Sequence, residues 1–384
     1  LNSLVVDGII AGVGSVVIFL PQILILFAFI LLLEDIGYMA RAAFMMDRLM
    51  RWCGLSGQSF IPMLSSFACA VPGIMATRVI PERKDRIATI LAAPFMTCSA
   101  RLPVYALLIA AFVPHETWLG GLINLPGLVL LGLYFLGIFG GIFTAWLFKK
   151  TLLRGPTPPF LLELPPFRKP NWRSFFINLS ERAKVFLRRA GTVIFAVTII
   201  VWGATYFPRN ADLEQQRDTQ IAALALQQLD EATIESATID IENQYAAAHL
   251  DQSILGRAGQ AIEPVFRPLG WDWKVTAGVL ASFPAREVVV AVLGTIYAVG
   301  AEADETDQTL IERLRNAKWP DGKPVFTTGM AIGLLIFYAF CLQCMATVAT
   351  MRRETGGWRW PVIAWTYMTL LGYAGAFLSY NLIG

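Results

Sequence analysis

Apolar positions in this chain run in long blocks separated by short polar segments, a pattern that predicts helices crossing a bilayer. Val16–Leu33, Trp118–Phe148, Gly191–Phe207, Met330–Thr350 and Trp360–Leu382 reach or approach the ~20 apolar residues needed to span one. One such block would suit a buried core helix; five do not. Ile87–Phe112 is a further block, interrupted by Pro94 and Pro103 on either side of Met96-Thr97-Cys98-Ser99-Ala100-Arg101. A proline inside a helix removes a hydrogen bond and kinks it, so this span is expected to be broken. Two more stretches, 59–77 and 271–299, break near their middles at Ser65–Gly73 and Ala281–Glu287. Both are expected to be hairpins that return to the side they came from.

The polar positions set the orientation. Lys149–Arg189 holds ten Lys or Arg against two Glu, whereas Pro208–Asp272 holds four Arg against eleven Asp or Glu. Basic loops collect in the cytoplasm, which places the first segment inside and the second outside. Tracing back from Lys149 puts Arg78–Arg86 inside, and with the 59–77 hairpin it also puts Arg41, Arg48 and Arg51 inside. Tracing forward, a hairpin at 271–299 delivers Arg352, Arg353 and Arg359 to the cytoplasm; a straight crossing would strand them outside. Val16–Leu33 then starts from outside, which predicts a preceding spanning helix. The start at Leu1, with no leader pattern, predicts that this chain is a piece of a longer protein. The insert between Ala211 and Leu250 is Gln-, Glu- and Ala-rich and is expected to form an external helical hairpin.

An internal repeat accompanies this pattern. Ala40–Leu55 aligns without gaps on Gly256–Trp271 at an offset of 216, matching Arg41 with Arg257, Arg51 with Arg267 and Gly54 with Gly270. The same offset pairs Ser66-Phe67 with Ser282-Phe283, at the break of each hairpin. Cys98 and Ala100 match Cys344 and Ala346 at an offset of 246, the difference being taken up by the polar insert Gly300–Phe326. The predicted fold is an all-α polytopic membrane protein with about six full spans, an inverted repeat built around two broken re-entrant hairpins. Residues 1–150 form the first repeat, with an arm at 34–54, a hairpin at 59–77 and spans at 87–112 and 118–148. Residues 151–189 form a basic cytoplasmic linker with an interfacial helix. Residues 190–384 form the second repeat, with the acidic external insert at 208–255, the hairpin at 271–299 and spans at 330–350 and 360–382.

Composition agrees with a membrane protein: 56% of residues are hydrophobic, 15% are charged and the mean hydropathy is +0.56. Soluble domains average roughly 25% charged. There is no phosphate-binding G-x-x-x-x-G-K-[ST] and no H-E-x-x-H, so no catalytic residues are assigned. The basic, amphipathic Arg168–Arg189 suits an anionic membrane surface and not a nucleic acid.

Candidate chemistry collects at the breaks, where unpaired backbone is tolerated only if protein or a water-lined cavity satisfies it. Cys69 lies in the first hairpin, Cys98 between the prolines, and Cys344 at the repeat equivalent of Cys98. Thiolates favour soft or borderline transition metals, although buried Cys and Met also serve as plain packing. Ser66 and Ser282 offer hydroxyls, and Glu287 or Asp35 a carboxylate. Arg101 and Glu287 are costly in apolar surroundings, and either a functional role or a structural Arg–carbonyl pairing would account for Arg101. The candidate metal-contacting set is therefore Cys69, Cys98, Cys344, Ser66, Ser282 and Glu287.

At these residues the sequence resembles the C-terminal membrane domain of the bacterial ferrous iron transporter FeoB family. The runs that carry the resemblance are Leu33–Met50 (LEDIGYMARAAFMMDRLM), Gly54–Leu64 (GLSGQSFIPML), Cys69–Arg78 (CAVPGIMATR) and Ala93–Tyr105 (APFMTCSARLPVY). Ser282–Tyr297 (SFPAREVVVAVLGTIY) and Cys344–Glu354 (CMATVATMRRE) resemble the second of that family's two Gate regions. Where the family commonly has Gly-Cys-Asn-Val-Pro, this chain has Ala68-Cys69-Ala70-Val71-Pro72. The resemblance implies multi-pass insertion in the bacterial cytoplasmic membrane and Fe²⁺ as transported substrate, with no tightly bound cofactor and Cys69 as the hairpin cysteine. It also implies an N-terminal GTP-binding domain in the parent protein, and leaves open small FeoA-like or FeoC-like partners and a homo-oligomer. Gate regions also resemble nucleoside-transporter scaffolds, so a carrier of nucleosides or other small solutes is the alternative. A scaffold or receptor that moves nothing would leave the breaks unexplained.

Overall fold

The computed structural model describes residues 4–114, 116–118, 123–155, 167–225, 231–284, 286, 288–300 and 303–383. They are helical throughout, apart from a short antiparallel ribbon pairing Thr117–Trp118 with Ile123–Asn124 and turns between helices. Arg83–Phe112, Leu125–Lys150, Thr328–Thr355 and Arg359–Ile383 are long and apolar enough to cross a membrane. The chain is thus a multi-pass membrane protein. Ala11–Ile36 is a further helix of 26 residues, about 39 Å long at the ordinary rise per residue.

The helix expected from Trp118 begins instead at Leu125. Asn124 accounts for the shift, because its Oδ1 accepts the Gly127 amide at 3.0 Å and caps the first turn. Thr117–Trp118 and Ile123–Asn124 are spent on the ribbon, which the apolar run alone conceals.

The chain divides into two compact units. The first comprises Leu1–Arg101, Leu131–Val197 and Phe337–Gly372; the second comprises Leu102–Leu130, Thr198–Ile336 and Tyr373–Gly384. In the first unit, the Ala11–Ile36 helix ends at Gly37, and the amphipathic Tyr38–Trp52 helix follows. Beyond Gly54, short helices Phe60–Ser66 and Ala70–Ala76 pack against one another. The chain folds back between them: a Cβ on Gly73 would lie 2.8 Å from the Pro62 carbonyl oxygen and 1.9 Å from Ser66 Oγ. Trp172–Phe186 packs along Ala11–Ile36 and continues through a wide helical turn, Leu187–Gly191, into Thr192–Tyr206.

In the second unit, Ile254–Phe266 is started by Ser253, whose Oγ accepts the Gly256 amide, and it packs on Trp273–Ala281. Val288–Ile296 then folds back on Trp273–Ala281, so that a Cβ on Gly278 would meet Val289 and Leu293 at 3.3 and 3.4 Å. Ala211–Ala225 and Glu231–Gln252 pack as a pair of helices.

Local geometry recurs at sequence-matched positions. Gly54 and Gly270 are both left-handed, at φ 80° and 77°, a conformation that glycine adopts without a Cβ penalty. Ser66 and Ser282 each turn the hydroxyl back to a carbonyl of their own helix, that of Pro62 at 2.8 Å and of Val279 at 2.7 Å.

Candidate functional site

Helix breaks define the site. In Arg83–Phe112 the helix stops after Phe95; Met96 is extended, and helical geometry resumes at Ser99. Pro94 and Pro103 explain the stop, since neither can donate to the helix ladder. The carbonyls freed there are not left bare. Arg101, 1% exposed, donates from its guanidinium to the oxygens of Pro94 at 2.9 Å, Phe95 at 3.0 Å and Met96 at 3.1 Å. The buried charge thus caps the break, which is the Arg–carbonyl pairing. Leu125–Lys150 lies tight against this segment through glycines: a Cβ on Gly137 would meet the Phe95 oxygen at 2.6 Å, and one on Gly141 would meet Met96 at 2.5 Å.

The second break separates Thr328–Phe340 from Met345–Thr355, with Cys341–Cys344 between them. Cys344 is extended, φ −158°, at the first position before its helix, and Cys69 stands in the same way before Ala70–Ala76, φ −153°. The helices led by these two cysteines pack together. Arg78 closes their far ends with a bidentate pair to Glu354 at 2.8 and 2.5 Å, and that carboxylate raises the guanidinium pKa further.

Cys69 and Cys344 share one apolar cluster, built on Phe27, Val71, Phe186, Ala190 and Ala346, with Met75 beside them. Cys98 is held close to the same hairpin by its neighbour. Ser99 donates to the Ala68 oxygen both from its amide, at 3.4 Å, and from Oγ, at 3.2 Å. All three thiols are partly accessible within one unit.

The remaining sequence candidates divide. Ser66 is fully buried, and its hydroxyl is spent on Pro62. Ser282 belongs to the second unit, and Glu287 lies outside the described residues. Among the described residues no three His, Cys, Asp or Glu converge as a closed metal cage. Thr97 was missed by the sequence reading: it is 1% exposed, lies between Met96 and Cys98, and its Oγ1 has no hydrogen-bond partner among the described residues. Its place between two prolines and beside Cys98 was the available signal. Thr97 Oγ1 is thus a buried hydroxyl next in sequence to a partly accessible thiol.

Comparison with known proteins yields two family matches. The Gate family, described as nucleoside recognition, matches residues 16–112 and 187–358. The family described as ferrous iron transport protein B C terminus matches residues 130–182. The chain is 44% identical, over 99% of its own length and 44% of the relative's, to an Fe(2+) transport protein A/Fe(2+) transporter FeoB fusion protein of Porphyromonas gingivalis. It is 42% identical to the Fe(2+) transporter FeoB of Leptospira interrogans, over 99% of this chain and 51% of that one. For the Fe(2+) transporter FeoB of Campylobacter jejuni the identity is 34%, over 99% and 55%. The chain spans about half the length of these curated relatives. No solved structure matches.

Proposed function

The chain belongs to the Gate family and corresponds to the C-terminal membrane part of FeoB, and on that premise we propose that it conducts Fe²⁺ across the bacterial cytoplasmic membrane past the thiols of Cys69, Cys98 and Cys344. The observation that carries the reading is the pairing of Cys69 and Cys344 at two helix breaks on one apolar cluster. Thiols give Fe²⁺ soft ligands, while Thr97 Oγ1 supplies a harder oxygen donor. A permeating ion is held weakly and by few groups at a time.

In this reading the two folded-back helix pairs are re-entrant. Helices of seven residues in the first pair and nine in the second, about 10 and 14 Å long, are too short to span a core of about 30 Å singly. The left-handed glycines at Gly54 and Gly270 support one repeat used twice, with the basic segments inside and the acidic 208–255 insert outside. Energy would come from a GTP-binding domain elsewhere in the parent protein. A FeoA-like partner is favoured by the fusion named for the Porphyromonas relative.

Fe²⁺ uptake by cells carrying the intact transporter tests the site. Cys69→Ser and Cys344→Ser should each lower the initial rate at least tenfold with unchanged protein in the membrane, and Thr97→Val should lower it less. Wild-type rates in a Cys69→Ser/Cys98→Ser/Cys344→Ser triple variant would remove the thiols from the path.

A further inference from the structure

We propose that a cavity in the second unit, between Ile254–Phe266, the start of Trp273–Ala281 and Gln308–Arg315, binds a small multivalent oxyanion. Its volume is about 570 Å³, within the ~300–1,000 Å³ of ordinary small-molecule sites. Arg267, Arg313 and Lys318 line it and are exposed, and none of them has an ion-pair partner among the described residues. Lys274 is half-buried, with its ammonium 4.9 Å from the centre of the Tyr297 ring.

Tyr297 supplies the observation that points to a ligand. It is 8% exposed, it lines the cavity, and its hydroxyl is enclosed with no hydrogen-bond partner among the described residues. Leaving a buried hydroxyl unpaired is costly, and an acceptor oxygen bound in the cavity removes that cost. Two carboxylates share the lining, Glu263 and Asp272, and Asp272 Oδ1 already accepts the Val275 amide at 2.9 Å. Four cations therefore face two anions. Such a lining concentrates anions and repels a hydrated divalent cation, which sets this cavity apart from the thiol breaks. Arginine forks match paired acidic oxygens, so the ligand carries two or more of them close together: a polycarboxylate, or a phosphate that is free or part of a lipid headgroup.

Isothermal titration of the full-length transporter in phosphatidylcholine nanodiscs, with citrate and with inorganic phosphate in separate runs, tests this without iron or transport. A failure here leaves the iron reading untouched. We expect saturable binding of at least one anion that weakens as salt rises. Tyr297→Phe should weaken it about tenfold, the size expected for a hydrogen bond to a charged acceptor. Arg313→Gln/Lys318→Gln, on exposed positions that the fold tolerates, should weaken it further and flatten the salt dependence. Loss of that binding in nanodiscs containing phosphatidylglycerol would identify a lipid phosphate as the occupant. The proposal is overturned if neither anion binds in nanodiscs with or without phosphatidylglycerol, or if both variants bind as the parent does. Binding of Mn²⁺ that Asp272→Asn abolishes would overturn it in favour of a cation site.

Discussion

Lys149 stands at the end of an apolar helix, yet its ammonium lies 2.5 Å from Asp85 Oδ1, with the two side chains 6% and 0% exposed. A Cβ on Gly54 would meet the Lys149 side chain at 3.2 Å, so the left-handed glycine seals the pair from one side. Buried pairs contribute little net stability, but removing one partner strands a charge. Lys149→Met should therefore destabilise the protein by about 3–5 kcal/mol, and Asp85→Asn/Lys149→Met should recover most of that loss. Thermal unfolding in detergent micelles measures both, and additive losses would show that the two charges do not depend on each other. The sequence marked Lys149 only as one of a basic group setting orientation. Its partner is 64 residues away, and a single sequence carries no signal for such a contact.

Between the helices of the first hairpin, contact is closest at Gly73. Any side chain there must displace Ser66 Oγ, for which the added Cβ would be 1.9 Å away. Gly73→Ala should lower the melting temperature and the Fe²⁺ uptake rate together, by prying Phe60–Ser66 and Ala70–Ala76 apart. Ser66→Ala removes the clashing oxygen, so the double variant should regain part of both; no recovery would mean that the Pro62 carbonyl, 2.8 Å from the added Cβ, sets the loss. The existence of this hairpin was legible in the small and polar run Ser65–Gly73. Its function-bearing detail was not, because the sequence offered Ser66 as a ligand and packing turned its hydroxyl onto Pro62. Thr97 went the other way: it had no assigned role in the run between the prolines, and burial left its hydroxyl with no hydrogen-bond partner among the described residues.

For the whole molecule, the charge asymmetry makes a topological prediction. A single cysteine placed at Gln216, in a chain cleared of native thiols, should react with a membrane-impermeant maleimide from outside intact cells. One placed at Asn178 should react only after permeabilisation. The reverse pattern would invert the orientation and, with it, the assignment of the acidic insert. Apolar block lengths, the Lys and Arg distribution and the paired motifs were all readable from the chain, because a bilayer imposes length and charge rules residue by residue. Which groups meet across the breaks was decided only in three dimensions. Arg101 came to cap the carbonyls of Pro94, Phe95 and Met96, Cys69 and Cys344 came to one cluster, and Tyr297 came to line one cavity with four cations. The membrane's rules act locally on the sequence, while close packing and hydrogen-bond satisfaction act between segments far apart in it.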